Sequence, residues 1–463
     1  MDNERTFDEI FEEVLERILN LLDAKKYMEA RDNLVDLANG ADIAEVMEDI
    51  IDELGIDKAV ILFRMLPKAI SVDVFAYLPI DDQVDIINAI NDKEIRFIME
   101  EMDFDDMIDV LEELPANLVN KILAQTPKEE RKLINTFLNY PDSSAGSIMT
   151  PDYIGLQQGM TVGEALAYIK RVGMDSETIY TCYVRDEGRK LIGIVSLRTL
   201  VISDDSLYVK DIMHDDYVFV NVYDDQEEVS EAFKKYDFLA IPVVDKEQRL
   251  VGIITVDDIL DVIEEENTED FERMAGIIDD SDREYLDISV LHHVKSRLPW
   301  LIVLMVSLMI TGAIISQFET MLSKVIVLVA YLPLLMGTGG NTGSQAATLI
   351  IRGMAIGELD TGDALKVFWK EIRISLCVGL ILSILNFAKI MFLDGETFII
   401  ALTVSLSMLA IIAFAKIIGG MLPIAAKKIG IDPALMATPM ISSITDMVSV
   451  LVYFLLATLM LGI

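Results

Sequence analysis

The chain has 463 residues and a formal net charge of −39, and nearly all of that charge lies in its first two thirds. Residues 295–463 hold 9 acids against 11 bases, which leaves 68 acids against 27 bases, a balance of −41, in residues 1–294. Such an acidic half excludes a nucleic-acid partner, whose phosphates it would repel. With only Cys182 and Cys377 present, a disulfide framework or a cysteine metal cluster is excluded too.

The N-terminus, "MDNERTFDEIFEEVLERIL", reads as an amphipathic acidic helix and not as a basic-then-apolar leader, so the acidic half is expected in the cytosol. Residues 1–140 form the first expected domain, acidic and all-α. A 12-residue beat runs through it: Leu66-Pro67, Leu78-Pro79, Ile90-Asn91, Met102-Asp103, Leu114-Pro115 and Thr126-Pro127. A proline suits the start of a helix, where its missing N–H costs nothing. The intervals hold only short helices, and repeats of this kind stack into a small superhelix.

Residues 146–263 are duplicated. "GSIMTPDYIGL" at 146–156 aligns with "KDIMHDDYVFV" at 210–220, and "KLIGIVSLRTL" at 190–200 with "RLVGIITVDDI" at 249–259. Each copy reads as strand, helix, two β-rich strands and a second helix, an α/β unit. An acidic connecting helix is expected over 257–290. In it Asp258, Asp261, Glu265, Glu269 and Glu272 recur every three or four residues and share one face. Like charges at that spacing repel, so the run points to a bound cation in preference to a plain solvated face.

Residues 295–463 read as an all-α membrane domain of five spans, at about 299–318, 325–349, 367–392, 397–422 and 436–460. Lys295 and Arg297 precede the first span, Arg352, Lys366, Lys370 and Arg373 cluster at the second link, and Lys427 and Lys428 lie in the fourth. This sorting puts the acidic half in the cytosol and the C-terminus outside.

The second span, "AYLPLLMGTGGNTGSQAATLIIRG", is interrupted by glycines and a proline. They predict a broken helix through Gly337–Gly343, with Gly339, Gly340 and Asn341 in a loop that lines a wet cavity. Thr342, Ser344 and Gln345 supply further polar groups. A phosphate loop lacks its Lys-Ser/Thr ending here, while close helix packing at the glycines remains an alternative. The last span, "ATPMISSITDMVSVLVYFLLATLM", carries one ionisable residue, Asp446. A charge at membrane depth costs roughly 2.5–3.5 kcal/mol on insertion scales, which marks this residue as functional.

The duplicated module looks like a tandem CBS pair. Together with "PLLMGTGGNTGSQAATLIIR", "IDPALMATPMISSITDMVSVLVY" and the acidic linker, it makes the chain closely resemble the MgtE family of magnesium channels. The resemblance implies a homodimer, no enzyme activity, a prokaryotic cell membrane and a Mg²⁺-selective pore on the dimer axis. It implies that Asp446 faces that axis, so that two copies and nearby carbonyls such as that of Ser442 hold a hydrated Mg²⁺. Asp432, at the cytosolic mouth, would share a cation with the linker. The implied regulatory carboxylates are Asp258, Asp261, Glu266 and Glu269 on the linker, Asp225, Glu227 and Asp237 in the second CBS unit, and Asp103 and Asp106 in the N-domain. Cytosolic Mg²⁺ bridging them would favour the closed form.

CBS pairs also take adenine nucleotides, often through an acid after a Ser/Thr-x-x step. Thr255-x-x-Asp258 fits, but its acid is already claimed by the linker, and Ser196-x-x-Thr199 has no acid. ATP therefore stays an open expectation. Three alternatives stand beside the Mg²⁺ channel. One keeps the fold and passes Mn²⁺ or Co²⁺, and one is a membrane-tethered Mg²⁺ or nucleotide sensor that transports nothing. The third, a metal-dependent membrane hydrolase, is disfavoured because His214, His292 and His293 all lie outside the spans.

Overall fold

The computed structural model describes residues 7–37, 39–278, 285–286, 288–436 and 438–462. They fall into two compact units, 1–263 and 264–463.

The first unit opens with α1 (Phe7–Asp23), α2 (Tyr27–Val35), α3 (Gly40–Leu54) and α4 (Ile56–Phe63). Six ten-residue helices follow on the 12-residue beat: α5 (Lys68–Tyr77), α6 (Ile80–Ala89), α7 (Asp92–Glu101), α8 (Phe104–Glu113), α9 (Ala116–Gln125) and α10 (Lys128–Phe137). Pro67, Pro79, Pro115 and Pro127 are the N-caps, with φ between −56° and −53°. Each is one residue ahead of its helix, where its missing N–H leaves no helical bond unmade. Asn91 takes the same place in α7 and closes a capping box with Glu94. The residues before the caps of α5 to α9 (Leu66, Leu78, Ile90, Met102, Leu114) are buried and pin those turns to the core. Each helix packs on the one two places further along, α4 on α6, α5 on α7, α6 on α8 and α7 on α9, which winds the chain into a superhelix.

Two copies of one α/β unit follow. The first has β1 (Tyr153–Gln157), α11 (Val162–Val172), β2 (Thr178–Arg185), β3 (Leu191–Ser196) and α12 (Leu197–Ile202). After a short α13 (Val209–Ile212), the second has β4 (Val220–Asn221), α14 (Gln226–Tyr236), β5 (Ala240–Val244), β6 (Leu250–Thr255) and α15 (Val256–Ala275). The sheets run β1-β2-β3 and β4-β5-β6, each with one parallel and one antiparallel pair. The copies exchange segments: Thr150, ahead of the first copy, bridges Ile253 of the second, and His214 bridges back to Ile194. Gly193 and Gly252 make room for the crossing. A Cβ on Gly193 would lie 2.7 Å from Met213 Sδ, and one on Gly252 2.8 Å from Met149 Sδ.

The second unit holds the end of α15, then α16 (Val290–Gln317), α17 (Glu319–Lys324), α18 (Leu332–Ala355), α19 (Ala364–Lys389), α20 (Phe398–Lys428) and α21 (Thr438–Leu461). Among the described residues, five helical stretches are long and apolar enough to cross a membrane. α20 is central and packs against α18, α19 and α21.

One expectation is overturned here. The chain does not break at Gly337–Gly343: α18 runs as one helix through all four glycines, and Gly339, Gly340 and Asn341 lie on it, not in a loop. The irregular backbone lies upstream, as a 3-10 stretch over Ile326–Tyr331. The glycines serve close approach instead. A Cβ on Gly339 would fall 2.5 Å from Ser449 Oγ, and one on Gly343 2.9 Å from Ile441 Cγ2. Reciprocally, a Cβ on Gly419 of α20 would come within 2.1 Å of the Gly343 carbonyl oxygen. Small residues that let membrane helices touch outweigh the modest cost of glycine within a helix.

Candidate functional site

Asp446 lies on α21, half-buried, one turn after Ser442 and almost one turn before Ser449. That face of α21 meets the glycine face of α18: Ser442 Oγ is 3.4 Å from Ser344 Oγ, and Ser449 is the side chain Gly339 makes room for. The hydroxyl next to Asp446 in the chain is committed elsewhere. Thr445 Oγ1 donates to the carbonyls of Ile441 at 2.8 Å and Ser442 at 3.0 Å. Among the described residues Asp446 makes no hydrogen bond or ion pair, and Ser449 Oγ is buried without a partner. A carboxylate in apolar surroundings with no donor aimed at it has lost water without compensation.

The opposite face of α18 is polar and open. Asn341, Gln345, Thr348 and Arg352 are exposed at spacings of four, three and four residues, one stripe along the helix, while Gly339, Gly340 and Gly343 are buried. Lipid does not solvate such a stripe, so it needs water or protein against it. Gln345 had been noted only as a polar neighbour; the stripe becomes legible once the helix is known to continue through the glycines.

At the end of α15 lies a second charged group. Arg273 donates to Asp432 Oδ2 at 2.8 Å and also pairs with Glu269, so its guanidinium joins the linker helix to the segment before α21. Burial raises the pKa of Asp270, Asp432 and Glu266 add to that, and Arg352 opposes them. The cation expected between Glu269 and Asp432 is thus supplied, in this structure, by the chain's own arginine.

In the first unit the N-domain acids gather with the start of α15. Burial, with Asp106 as the next cause, pushes Asp105 to about 7. Asp106 rises to about 6 through burial and then through Asp103, Asp258, Asp257 and Asp261. Asp258 rises to about 7 through burial and then Asp105, despite the 2.6 Å bond that Thr255 Oγ1 donates to it. Glu177, from the first CBS copy, is pushed to about 8 by burial and by Asp105, Asp103, Asp257 and Asp258. Asp103, Asp106, Asp258 and Asp261 are therefore brought together. Asp105, Asp109, Asp257 and Glu177 belong to the same group, Asp109 being pushed to about 8 by burial and then by Asp105, Glu112, Asp106 and Asp258.

Asp225 and Asp237 stand at the two ends of α14. Asp225 caps α14 by accepting from the Glu227 N–H at 2.9 Å, and Asp237 ends that helix in the left-handed region at φ 54°. Among the described residues no three His, Cys, Asp or Glu side chains form a ready metal cage. The donor set nonetheless suits a hard, hydrated divalent cation: all oxygen, like-charged and deprived of solvent.

Comparison with known proteins matches this organisation. Residues 332–456 match a family described as divalent cation transporter, residues 38–143 the MgtE intracellular N domain, and residues 145–203 and 209–265 the CBS domain. With five apolar helices, this defines an integral membrane protein of a cation-transporter class rather than an enzyme class. The magnesium transporter MgtE of Thermus thermophilus is 38% identical over 431 residues, 90% of this chain and 95% of that one. Its namesake from Bacillus subtilis is 32% identical over 421 residues, 88% of this chain and 92% of that one. A crystal structure of the soluble part of a magnesium transporter superimposes with a TM-score of 0.50 at 31% identity, covering 55% of this chain and 99% of that chain. The chain belongs to the MgtE family of magnesium transporters.

Proposed function

We propose that the protein is a Mg²⁺ channel of the cell membrane that works as a homodimer and is closed by cytosolic Mg²⁺. The observation that carries this reading is Asp446, a carboxylate at membrane depth beside which Thr445 turns its hydroxyl to backbone carbonyls. Mg²⁺ gives up its waters reluctantly. A carboxylate that touches the ion's water shell attracts it without stripping it, and such contacts also let it leave, as conduction requires. A second copy set against the polar stripe of α18 would remove that stripe from lipid and bring two Asp446 side chains to one path. The basic residues at the link between the second and third spans then face the cytosol, and the C-terminus lies outside.

Closure follows from linkage. Asp105, Asp106, Asp258 and Glu177 are pushed up by burial and by the carboxylates beside them, Asp103, Asp257 and Asp261 among these, so this group opposes its own assembly at neutral pH. Mg²⁺ bound between them lowers that cost and favours the assembled, closed form. The scheme leaves room for ATP at the CBS pair, since the 2.6 Å bond from Thr255 Oγ1 engages only Oδ2 of Asp258, the acid such a pair would offer to ribose.

The test is Mg²⁺ uptake into liposomes that hold the purified protein, with Mn²⁺ and Co²⁺ as competitors. Wild type should carry Mg²⁺, and Asp446→Asn should lose nearly all of it while remaining folded. Uptake by a well-folded Asp446→Asn protein equal to wild type refutes the assignment.

A further inference from the structure

Glu371 and Lys416 form an ion pair inside the membrane unit that the ion path leaves unexplained. Their side chains are 8% and 7% exposed, and Lys416 Nζ lies 3.8 Å from Glu371 Oε2. Glu371 is eight residues into α19, and Lys416 lies twelve residues before the end of α20, roughly 18 Å along the axis. Neither head group reaches water, and Glu371 Oε2 has no hydrogen bond among the described residues. As glue between two helices the pair is poor, because apolar residues of similar volume would hold them as well without desolvating two charges.

The surroundings show what the pair fixes. Less than two turns of α20, residues 415–420, carry contacts in two directions. Towards α19, Gly420 leaves space for Glu371, whose Cγ would be 3.0 Å from an added Cβ. Towards α18, Gly419 lies against the Gly343 carbonyl, and a Cβ on Gly343 would come 3.2 Å from the Ala415 carbonyl oxygen. The same position on Gly343 is 3.1 Å from Thr445 Cγ2, the residue before Asp446. A shift of α20 on α19 is therefore passed to Gly343 and from there to the turn of α21 that carries Asp446, with no slack at the glycine contacts.

We propose that Glu371 and Lys416 are a positioning pair for permeation. Their mutual attraction sets the seat of α20, and through Gly343 it sets where Asp446 stands. The proposal rests on Asp446 being the ion site.

The experiment compares wild type, Glu371→Gln, Lys416→Gln and the exchanged double variant Glu371→Lys/Lys416→Glu in liposomes. It reads Mg²⁺ flux per monodisperse protein and the Mg²⁺ to Na⁺ permeability ratio. Leaving one buried charge without its partner is strongly disruptive, so each single variant should lose roughly tenfold in flux per folded protein, with a reduced ratio. The exchanged pair keeps the attraction and should return both readings to within about threefold of wild type. Single variants with the wild-type flux and ratio overturn the proposal. So do losses that only follow the yield of folded protein, which would make the pair structural and nothing more. If neither single variant folds, the exchanged pair decides: folded and conducting supports the proposal, folded and silent overturns it. A wild type that carries no Mg²⁺ would instead remove the channel reading on which the proposal stands.

Discussion

The two units hold carboxylates in opposite ways. In the first, acids from α8, the start of α15 and the loop before β2 are crowded together, and each is driven towards its protonated form by burial and by its neighbours. In the second, Asp446 is alone on its helix, with apolar contacts and serines around it. On the function proposed above, the crowded acids would be the sensor, since their assembly depends on how much cation is present, and the lone acid the conductor, since it has little to hold an ion once it arrives. One residue type would then serve two functions because its neighbours differ.

This contrast gives its sharpest prediction from one substitution made in each place. Asp446→Asn should lower Mg²⁺ flux by at least ~100-fold, because the amide keeps the shape and loses the charge. Asp105→Asn should do the reverse of harm: it removes a repelling neighbour, and the melting temperature of residues 1–275 should rise in the absence of Mg²⁺. A fall for Asp105→Asn would mean that the cluster is held by bonds and not strained by repulsion.

A second substitution tests the membrane packing. Gly419→Ala places a methyl group against the Gly343 carbonyl, and overpacking of this kind costs about 1–3 kcal/mol. The full-length protein should melt several degrees lower in detergent, whereas Gly430→Ala, where nothing lies within 4 Å but φ is +76°, should cost less.

The pH dependence follows from the raised acids. Asp105 and Asp258 titrate at about 7 and Glu177 at about 8 in the folded state, against roughly 4 when unfolded. Between those values the folded form binds more protons, so its stability falls as pH rises. The contribution is complete below about pH 4 and is lost as pH passes 7 to 8. Without Mg²⁺, residues 1–275 should therefore unfold at lower urea concentration at pH 8 than at pH 6, and Mg²⁺ should restore more at pH 8.

Arg273→Ala should give the smallest effect. The pair with Asp432 is partly exposed, worth about 0.2–1 kcal/mol. Its loss should raise open probability at nominally zero Mg²⁺ by no more than about fivefold, since the arginine is then absent from between Glu269 and Asp432.

Much of this was legible in the sequence, for reasons that are local. The 12-residue beat shows because each turn needs a proline or a capping Asn or Asp at the same register. The CBS duplication shows because Gly193 and Gly252 each meet the corresponding crossing segment, Met213-His214 for one and Met149-Thr150 for the other. Asp446 shows because one charge in an apolar run has no local explanation. What stayed hidden depends on partners far along the chain. A glycine that breaks a helix and a glycine that admits another helix look alike until Ser449, Ile411 and Ile441 are seen against α18. Glu177 joins the acid cluster from 71 residues beyond Asp106, and Lys416 meets Glu371 from 45 residues away, with no periodicity to announce either. Asp225 and Asp237, regulatory acids by the family resemblance, also stand at the two ends of α14, which their residue type alone does not announce.

The most direct test of the account records open probability against cytosolic Mg²⁺ in excised patches. It compares wild type with a variant in which Asp258, Asp261, Glu266 and Glu269 are changed to Asn or Gln and Asp446 is left in place. If bridging is worth ~2–3 kcal/mol, its loss shifts the closed-to-open ratio by roughly 30- to 150-fold. The account predicts a variant that stays open at Mg²⁺ levels that shut the wild type, with unitary current and selectivity unchanged. An unchanged closing curve would contradict it, since the acidic face would then be no more than solvated surface.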